Sequence, residues 1–139
     1  MTDRCLVLDA WPVMEWFRGR EPARAAFREL LPEAARGRLS LCMSRINLGE
    51  IYYSTAKSFD DVTATALVRQ LTAILIEIVS VTDADVDAAA KLKAHYRISY
   101  ADAFAAVLSI DRSAALVTGD PDFLPLASDG VVQLHWIGA

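Results

Sequence analysis

The sequence predicts an α/β domain with a central, mostly parallel five-stranded sheet flanked by helices. Five short apolar runs, each typical of a buried strand, are distributed along the chain. Longer amphipathic patterns typical of helices fill every gap between these runs except the last one. Such alternation is typical of parallel strands joined by helical crossovers. A length of 139 residues suits one domain with a substantial core.

The elements can be placed in chain order. The strand-like runs are CLVLDA, RLSLCMS, IEIVSV, AALVTG and VVQLHWI. Between Trp11 and Arg36 we expect two helices with a break near Gly19 to Pro22. Each later helix follows a residue type that favours the N-cap position, and these residues are Ser44, Asp60, Asp83 and Ser99. The chain has no internal repeat and no linker rich in Pro, Gly and Ser, so residues 1–139 are expected to form a single domain.

Composition and charge exclude several classes of protein. No apolar stretch approaches the ~18 residues that a membrane span requires. Asp3 and Arg4 lead directly into the first strand without a signal-peptide pattern, so we expect a cytoplasmic protein. Cys5 and Cys42 lie in strand-like runs without metal-ligand spacing and are expected to be buried thiols. A net charge of -4 argues against nucleic-acid binding by bulk electrostatics, so any contact with nucleic acid must be local.

Two aspartates follow strand-like runs directly. Asp9 follows the first run and Asp120 follows the fourth, within the motif VTGDPDF. In open parallel sheets the ligand site lies beyond the carboxyl ends of the strands, so both side chains could share one crevice. Helix capping is the alternative explanation for each, because Asp9 precedes a helix with Pro12 in its first turn and Asp120 precedes Pro121.

Two further acidic residues lie within predicted helices. Asp102 is in the helix SYADAFAAVLSI, which is apolar on nearly every face and should be buried, and its spacing from Ser99 resembles a capping box only in part. Glu50 shares a stripe at helical spacing with Asn47, Ser54 and Lys57. That stripe could be a solvated face, or it could line the crevice beside Asp9 and Asp120.

Convergence of these four carboxylates would require a cation. Two like charges ~4 Å apart at an effective dielectric near 20 repel by about 4 kcal/mol. A divalent cation removes this conflict, and oxygen ligands without His or Cys favour Mg²⁺ or Mn²⁺ over zinc.

The motifs LVLDAW, INLGEIYYS, YADAFAAVLS and VTGDPDF, in this order along the whole chain, resemble the four acidic motifs of PIN-domain ribonucleases. The resemblance is strongest to the VapC-type toxins of bacterial toxin-antitoxin pairs. It implies a PIN-like fold and metal ligands at Asp9, Glu50, Asp102 and Asp120. It also implies that Thr118 assists the site, that Asn47 matches a polar family position, and that Asp122 is an extra ligand or outer-shell group. Ala10 departs from the family, because many relatives have Thr or Ser there.

The resemblance further implies an activity and partners. The activity is Mg²⁺- or Mn²⁺-dependent hydrolysis of RNA phosphodiester bonds, in which Glu50 binds metal or acts as a general base. The predicted partners are the RNA substrate, a cognate antitoxin protein and a second copy of the chain. For the antitoxin we expect the segment with Trp11, Trp16 and Phe17, followed by Arg18, Arg20, Arg24 and Arg28. For the homodimer we expect Ile51, Tyr52 and Tyr53. The candidates for contact with RNA phosphates are Arg45, Lys57, Lys91, Lys93 and Arg97, and plain solvated charge is the alternative explanation for most of them.

Other functions fit less well. Aspartyl-phosphate phosphatases have a second Asp two residues after the first, where this chain has Trp11. Dinucleotide-binding domains need G-x-G-x-x-G after the first strand, and LDAWPVMEW contains no glycine. The remaining alternative is a non-catalytic PIN-like binding or scaffolding module.

Overall fold

The computed structural model describes residues 4–139. The strands are β1 (Cys5–Leu8), β2 (Ser40–Ser44), β3 (Ile76–Val79), β4 (Ala115–Thr118) and β5 (Leu134–Trp136). The helices are α1 (Ala10–Arg18), α2 (Ala23–Ala35), α3 (Arg45–Ser58), α4 (Asp61–Ala73), α5 (Asp83–His95), α6 (Tyr100–Arg112) and α7 (Leu124–Ser128), with a 3₁₀ turn at Pro121–Phe123. The predicted α/β class is confirmed.

The strands form one sheet in the order β3-β2-β1-β4-β5, and every pairing is parallel. The chain therefore moves outward in one direction from β1 to β3 and then returns to the other side of β1 to form β4. A crevice opens at such a reversal, beyond the carboxyl ends of the two central strands. Here those strands are β1 and β4, which end directly before Asp9 and Gly119.

The sheet has an apolar layer on each face. Side chains alternate along a strand, so Leu6 and Leu8 point to one face of β1 while Val7 points to the other. The first face packs against α1 to α4 through residues such as Phe27 and Leu67. Residues of α5, α6 and α7 cover the second face. Both faces are buried, and this is why the strands read as continuous apolar runs.

Most of the predicted helix boundaries are confirmed. The hydroxyl groups of Ser44 and Ser99 and the carboxylate of Asp60 accept hydrogen bonds from the first turns of their helices. The break after α1 is confirmed by Gly19, whose φ of 73° lies in the left-handed region that favours glycine.

Three expectations need correction. The N-cap of α5 is Thr82 rather than Asp83, because Thr82 and Asp85 form a reciprocal capping box. The last gap, where no helix was predicted, contains the five-residue α7, which is too short to show a helical period. Cys42 is buried but Cys5 is partly exposed, and both thiols are free.

No helix among the described residues is long and apolar enough to cross a membrane.

Candidate metal centre

Asp9 caps α1 and also contributes to a buried polar cluster. Its side chain is 1% exposed. Oδ1 accepts a hydrogen bond from the backbone N–H of Trp11 at 3.1 Å, which is the capping interaction. Oδ2 accepts a hydrogen bond from the Thr118 hydroxyl at 3.1 Å, although 109 residues separate the two. Asp9 therefore caps α1 and belongs to the polar cluster at the same time, because Oδ1 makes the capping bond and Oδ2 makes the bond to Thr118.

Thr118 connects the ends of the two central strands. Its Oγ1 donates to Asp9 and accepts a hydrogen bond from the backbone N–H of Asp120 at 3.1 Å. Asp120 in turn caps the 3₁₀ turn, because its Oδ1 accepts from the backbone N–H of Asp122 at 2.9 Å. The single hydroxyl group thus fixes Asp9 relative to the loop that carries Asp120.

Glycine is required between Thr118 and Asp120 for a steric reason. A Cβ atom at Gly119 would lie 2.3 Å from Cη2 of Trp11 and 2.7 Å from Cα of Gly138. Contacts this short do not occur between non-bonded carbon atoms, so a side chain here would displace Trp11 or the loop after β4. Close packing of the Trp11 indole on Gly119 therefore holds the start of α1 against the loop of Asp120.

Asp102 enters the same region from the first turn of α6. The Ser99 hydroxyl accepts a hydrogen bond from the backbone N–H of Asp102 at 3.0 Å. Ser99 therefore caps the helix, and the carboxylate of Asp102 does not. One carboxylate oxygen of Asp102 lies within 4.8 Å of an oxygen of Asp120 and of an oxygen of Asp122. The pKa of Asp102 is raised from 3.8 to about 6, mainly by burial and then by the charges of Asp120 and Glu50.

Glu50 is held beside Asp102 through Asn47. The Asn47 Nδ2 group donates a hydrogen bond to the backbone carbonyl of Ala101 at 3.1 Å. It also donates a longer hydrogen bond to Glu50 Oε1, at 3.5 Å. Asn47 is fully buried, so the polar stripe of α3 is not a solvated face at this point. Burial raises the pKa of Glu50, the hydrogen bond from Asn47 lowers it, and the charge of Asp120 raises it. Lys57, on the same predicted stripe, instead lies over the ring of Tyr53.

The four predicted carboxylates line one cleft of about 160 Å³. Its lining comprises Asp9, Ala10, Trp11, Met14, Glu15, Arg18, Glu50, Ser54, Asp102 and Asp120. The sequence prediction missed Met14, Glu15 and Arg18 as lining residues. A signal for them exists, because positions 11, 14, 15 and 18 recur at the spacing of one helical face that begins beside Asp9.

The carboxylates of the cleft raise one another's pKa. The pKa of Asp9 is raised well above 3.8, first by burial and then by the charge of Asp102, while the hydrogen bond from Thr118 opposes the rise. Without a cation, the ionised carboxylates destabilise one another. The donors are all oxygen, which suits a hard divalent cation.

Comparison with known proteins identifies the family. The sequence matches the family model of the PIN domain over residues 6–128. The chain belongs to the PIN domain family. Among curated protein sequences, none is detectably similar to this chain.

Solved structures share the fold of this PIN domain at low sequence identity. VapBC2 from Rickettsia felis, bound to a DNA fragment from its promoter, has a TM-score of 0.72 and 17% identity, covering 94% of this chain and 97% of the other. VapC20 of Mycobacterium tuberculosis, a toxin that cleaves the sarcin-ricin loop, has a TM-score of 0.71 and 14% identity, covering 86% and 93%. VapBC-1 from nontypeable Haemophilus influenzae has a TM-score of 0.68 and 16% identity, covering 95% and 97%. The predicted PIN-like fold is confirmed.

The basic residues predicted to contact phosphate do not line the cleft of this PIN domain. These residues are Arg45, Lys57, Lys91, Lys93 and Arg97. Lys93 instead donates a hydrogen bond to the backbone carbonyl of Ile98 at 3.0 Å, which joins α5 to the loop before α6. Their contact with RNA phosphates stays a prediction, at positions outside the lining of the cleft.

Proposed function

We propose that this PIN domain is a metal-dependent endoribonuclease and the toxin of a type II toxin-antitoxin pair. The observation that carries the proposal is the arrangement of Asp9, Glu50, Asp102 and Asp120 around one cleft at the reversal point of a parallel sheet. Family membership supports a nuclease, and the sarcin-ricin loop cleavage by VapC20 supports RNA as the substrate. The VapBC complexes among the similar structures support an antitoxin partner.

The residues that would hold Mg²⁺ or Mn²⁺ are oxygen donors from four elements. Asp102, Asp120 and Asp122 already have oxygens close enough for one ion. Asp9 and Glu50 line the same cleft and complete the predicted ligand set together with Asp102 and Asp120. When bound, the cation would lower the pKa of a water molecule and neutralise charge on the phosphate and the leaving oxygen.

The protein's own residues provide orientation and proton transfer. Thr118 and the backbone N–H of Trp11 restrain both oxygens of Asp9, so this carboxylate enters the site without reorganisation. Glu50 is only partly buried and burial raises its pKa, which favours it as a proton acceptor as well as a ligand. Asn47 positions Glu50 through the long contact to Oε1.

Cleavage of RNA with and without metal tests this function. We expect purified protein to cleave single-stranded or looped RNA with Mg²⁺ or Mn²⁺ and to lose that activity in EDTA. Full activity in EDTA would rule out the metal-dependent mechanism. The alternative, a non-catalytic PIN-like module, predicts no cleavage under either condition. The presence of all four carboxylates and Thr118 in one cluster argues against this alternative.

The antitoxin is proposed to bind near the ends of α1 and α3, where Phe59 is added to the predicted segment with Trp11, Trp16 and Phe17. Trp16 packs on Phe27 with ring centroids 5.5 Å apart, and Trp11 packs on Gly119, so both serve the fold. Phe17 contacts the ring of Phe59 edge-on at 5.7 Å. Phe59 is 57% exposed, and it therefore presents an aromatic side chain to a partner.

Replacement of Phe59 tests the antitoxin surface. We expect Phe59→Ala to weaken a cognate antitoxin complex about tenfold or more, since buried aromatic anchors often contribute ~2 kcal/mol. Leu75→Ala is a matched control, because Leu75 is also exposed but directly precedes β3, an edge strand of the sheet. Calorimetric titration gives both dissociation constants. Equal affinities for the two variants would exclude Phe59 from the interface.

A homodimer is also proposed, with a smaller interface than predicted. Ile51 is fully buried in the core and cannot contact a second copy. Tyr52 and Tyr53 on the same helix are exposed and remain available. Light scattering at micromolar concentration should give twice the monomer mass of 15.2 kDa. Tyr53→Glu should shift this mass toward the monomer, and a monomeric wild type would contradict the proposal.

A further inference from the structure

The cleft has one basic side chain among its described lining residues, and this residue is Arg18. The charged residues around it are the four site carboxylates and Glu15. A polyanionic substrate that enters such a cleft needs a local cation besides the metal, because the protein has a net charge of -4. Arg18 is therefore the residue whose charge requires explanation.

The charge of Arg18 is not used within the protein. Glu15 lies one turn earlier on the same face of α1, but its Oε1 accepts from Nη1 of Arg20 at 3.2 Å. Across residues 4–139, Arg18 forms no hydrogen bond or ion pair with another side chain, and it is exposed. Its position in the last turn of α1 favours a cation through the helix dipole, by ~0.3–1 kcal/mol. That effect accounts for a basic residue type but not for its location on the rim of the cleft.

A second arginine lies beside the same turn. Gly19 follows Arg18 and ends α1, and a Cβ atom at Gly19 would lie 3.8 Å from Nη1 of Arg24. Arg24 is exposed in the first turn of α2 and has no acidic partner within the described part of the chain. The turn between α1 and α2 thus has one guanidinium group on the cleft side and another directly beyond it.

We propose that Arg18 binds a backbone phosphate of the RNA strand in the cleft and that Arg24 binds a phosphate farther along, so that the strand leaves the cleft over the α1–α2 turn. The inference rests on the proposed ribonuclease function and adds the path of the substrate. A guanidinium group suits this role because its planar donors bind phosphate oxygens bidentately. The four carboxylates repel phosphate elsewhere in the cleft, except through the metal.

Binding of a labelled single-stranded RNA oligonucleotide, measured by anisotropy in excess Mg²⁺, tests the path. The reference protein has Asp102→Asn, so that the RNA is not cut. In this background we expect Arg18→Gln to raise Kd about tenfold and to reduce the slope of log K against log salt by about 0.7, the value for one phosphate contact with a single strand. Arg24→Gln should reduce the slope similarly, with a smaller increase in Kd.

Arg69→Gln is the matched control, because Arg69 is exposed on α4 and does not line the cleft. It should leave both Kd and the salt slope unchanged, while the melting temperatures of all variants remain equal to that of the reference. If Arg18→Gln behaves like Arg69→Gln while the reference binds RNA, the path is wrong and the proposed function stands. Weakened binding of an antitoxin without any change in RNA binding would assign Arg18 to the protein partner. A reference protein that binds no RNA would overturn the function and the path together.

Discussion

Asp102→Asn is expected to reduce metal-dependent RNA cleavage by about 100-fold or more while the protein remains folded. The carboxylate belongs to the group whose oxygens approach one another within 4.8 Å, so the change removes one negative ligand at nearly constant volume. Loss of several kcal/mol of transition-state stabilisation by the metal corresponds to two or more powers of ten in rate. Asp9→Asn and Asp120→Asn should have similar effects, because they line the same cleft.

A matched substitution separates the site from general charge effects. Asp87 is exposed on α5 and does not line the cleft, so Asp87→Asn makes the same chemical change elsewhere. It should retain activity close to that of the wild type. Initial rates on one RNA substrate with excess Mn²⁺, combined with circular dichroism of each variant, provide the comparison. An Asp102→Asn protein as active as Asp87→Asn would show that Asp102 is not a ligand.

In EDTA at neutral pH, the same Asp102→Asn variant is expected to be more stable than the wild type. A rise in the pKa of Asp102 from 3.8 to about 6 corresponds to about 3 kcal/mol against the ionised folded state. Asparagine removes this penalty but also removes a negative charge from the first turn of α6, which favours the wild type by ~0.3–1 kcal/mol. The net gain should be about 1–3 kcal/mol, or several degrees in melting temperature. Differential scanning calorimetry measures this gain.

The dependence on pH has a definite sign. Below about pH 3, Asp102 is largely protonated in both the folded and the unfolded state, since its unfolded pKa is 3.8. Between about pH 4 and pH 6 the folded state retains a proton that the unfolded state has released, since its pKa is raised to about 6. The contribution of Asp102 therefore lowers the free energy of unfolding of the wild type as pH rises through this window. The stability advantage of Asp102→Asn should accordingly be small at pH 4 and complete near pH 7.

Excess metal should offset most or all of the stability advantage of Asp102→Asn. Excess Mn²⁺ at 100 times its dissociation constant stabilises the folded wild type by ~2.7 kcal/mol through mass action, and the variant by much less. Asp87→Asn should respond to metal as the wild type does. A less stable Asp102→Asn protein in EDTA, together with a wild type that is indifferent to Mn²⁺, would show that the carboxylates do not form a shared site.

The sequence alone determined the architecture and the approximate position of the site. Strand-length apolar runs and helical periods are local patterns, and their alternation restricts the chain to parallel strands with crossovers. Asp9 and Asp120 were placed at one edge of the sheet for the same reason, because each directly follows a strand. Prediction succeeded here because strand ends in a parallel sheet lie at a common edge whatever the details of packing.

Packing between elements distant in sequence set which side chains face that edge and which are buried. The hydrogen bond from Thr118 to Asp9, the approach of Asp122 to Asp102 and the free charge of Arg18 in the cleft each depend on elements distant in sequence. Ile51 and Tyr53 are close in sequence on one helix and both carry a large apolar group, yet one is fully buried and the other is 53% exposed. A helical period defines the faces of a helix but not the elements that pack against each face. The neighbours are set when the sheet and helices exclude water from their contacts, and this step depends on the whole chain.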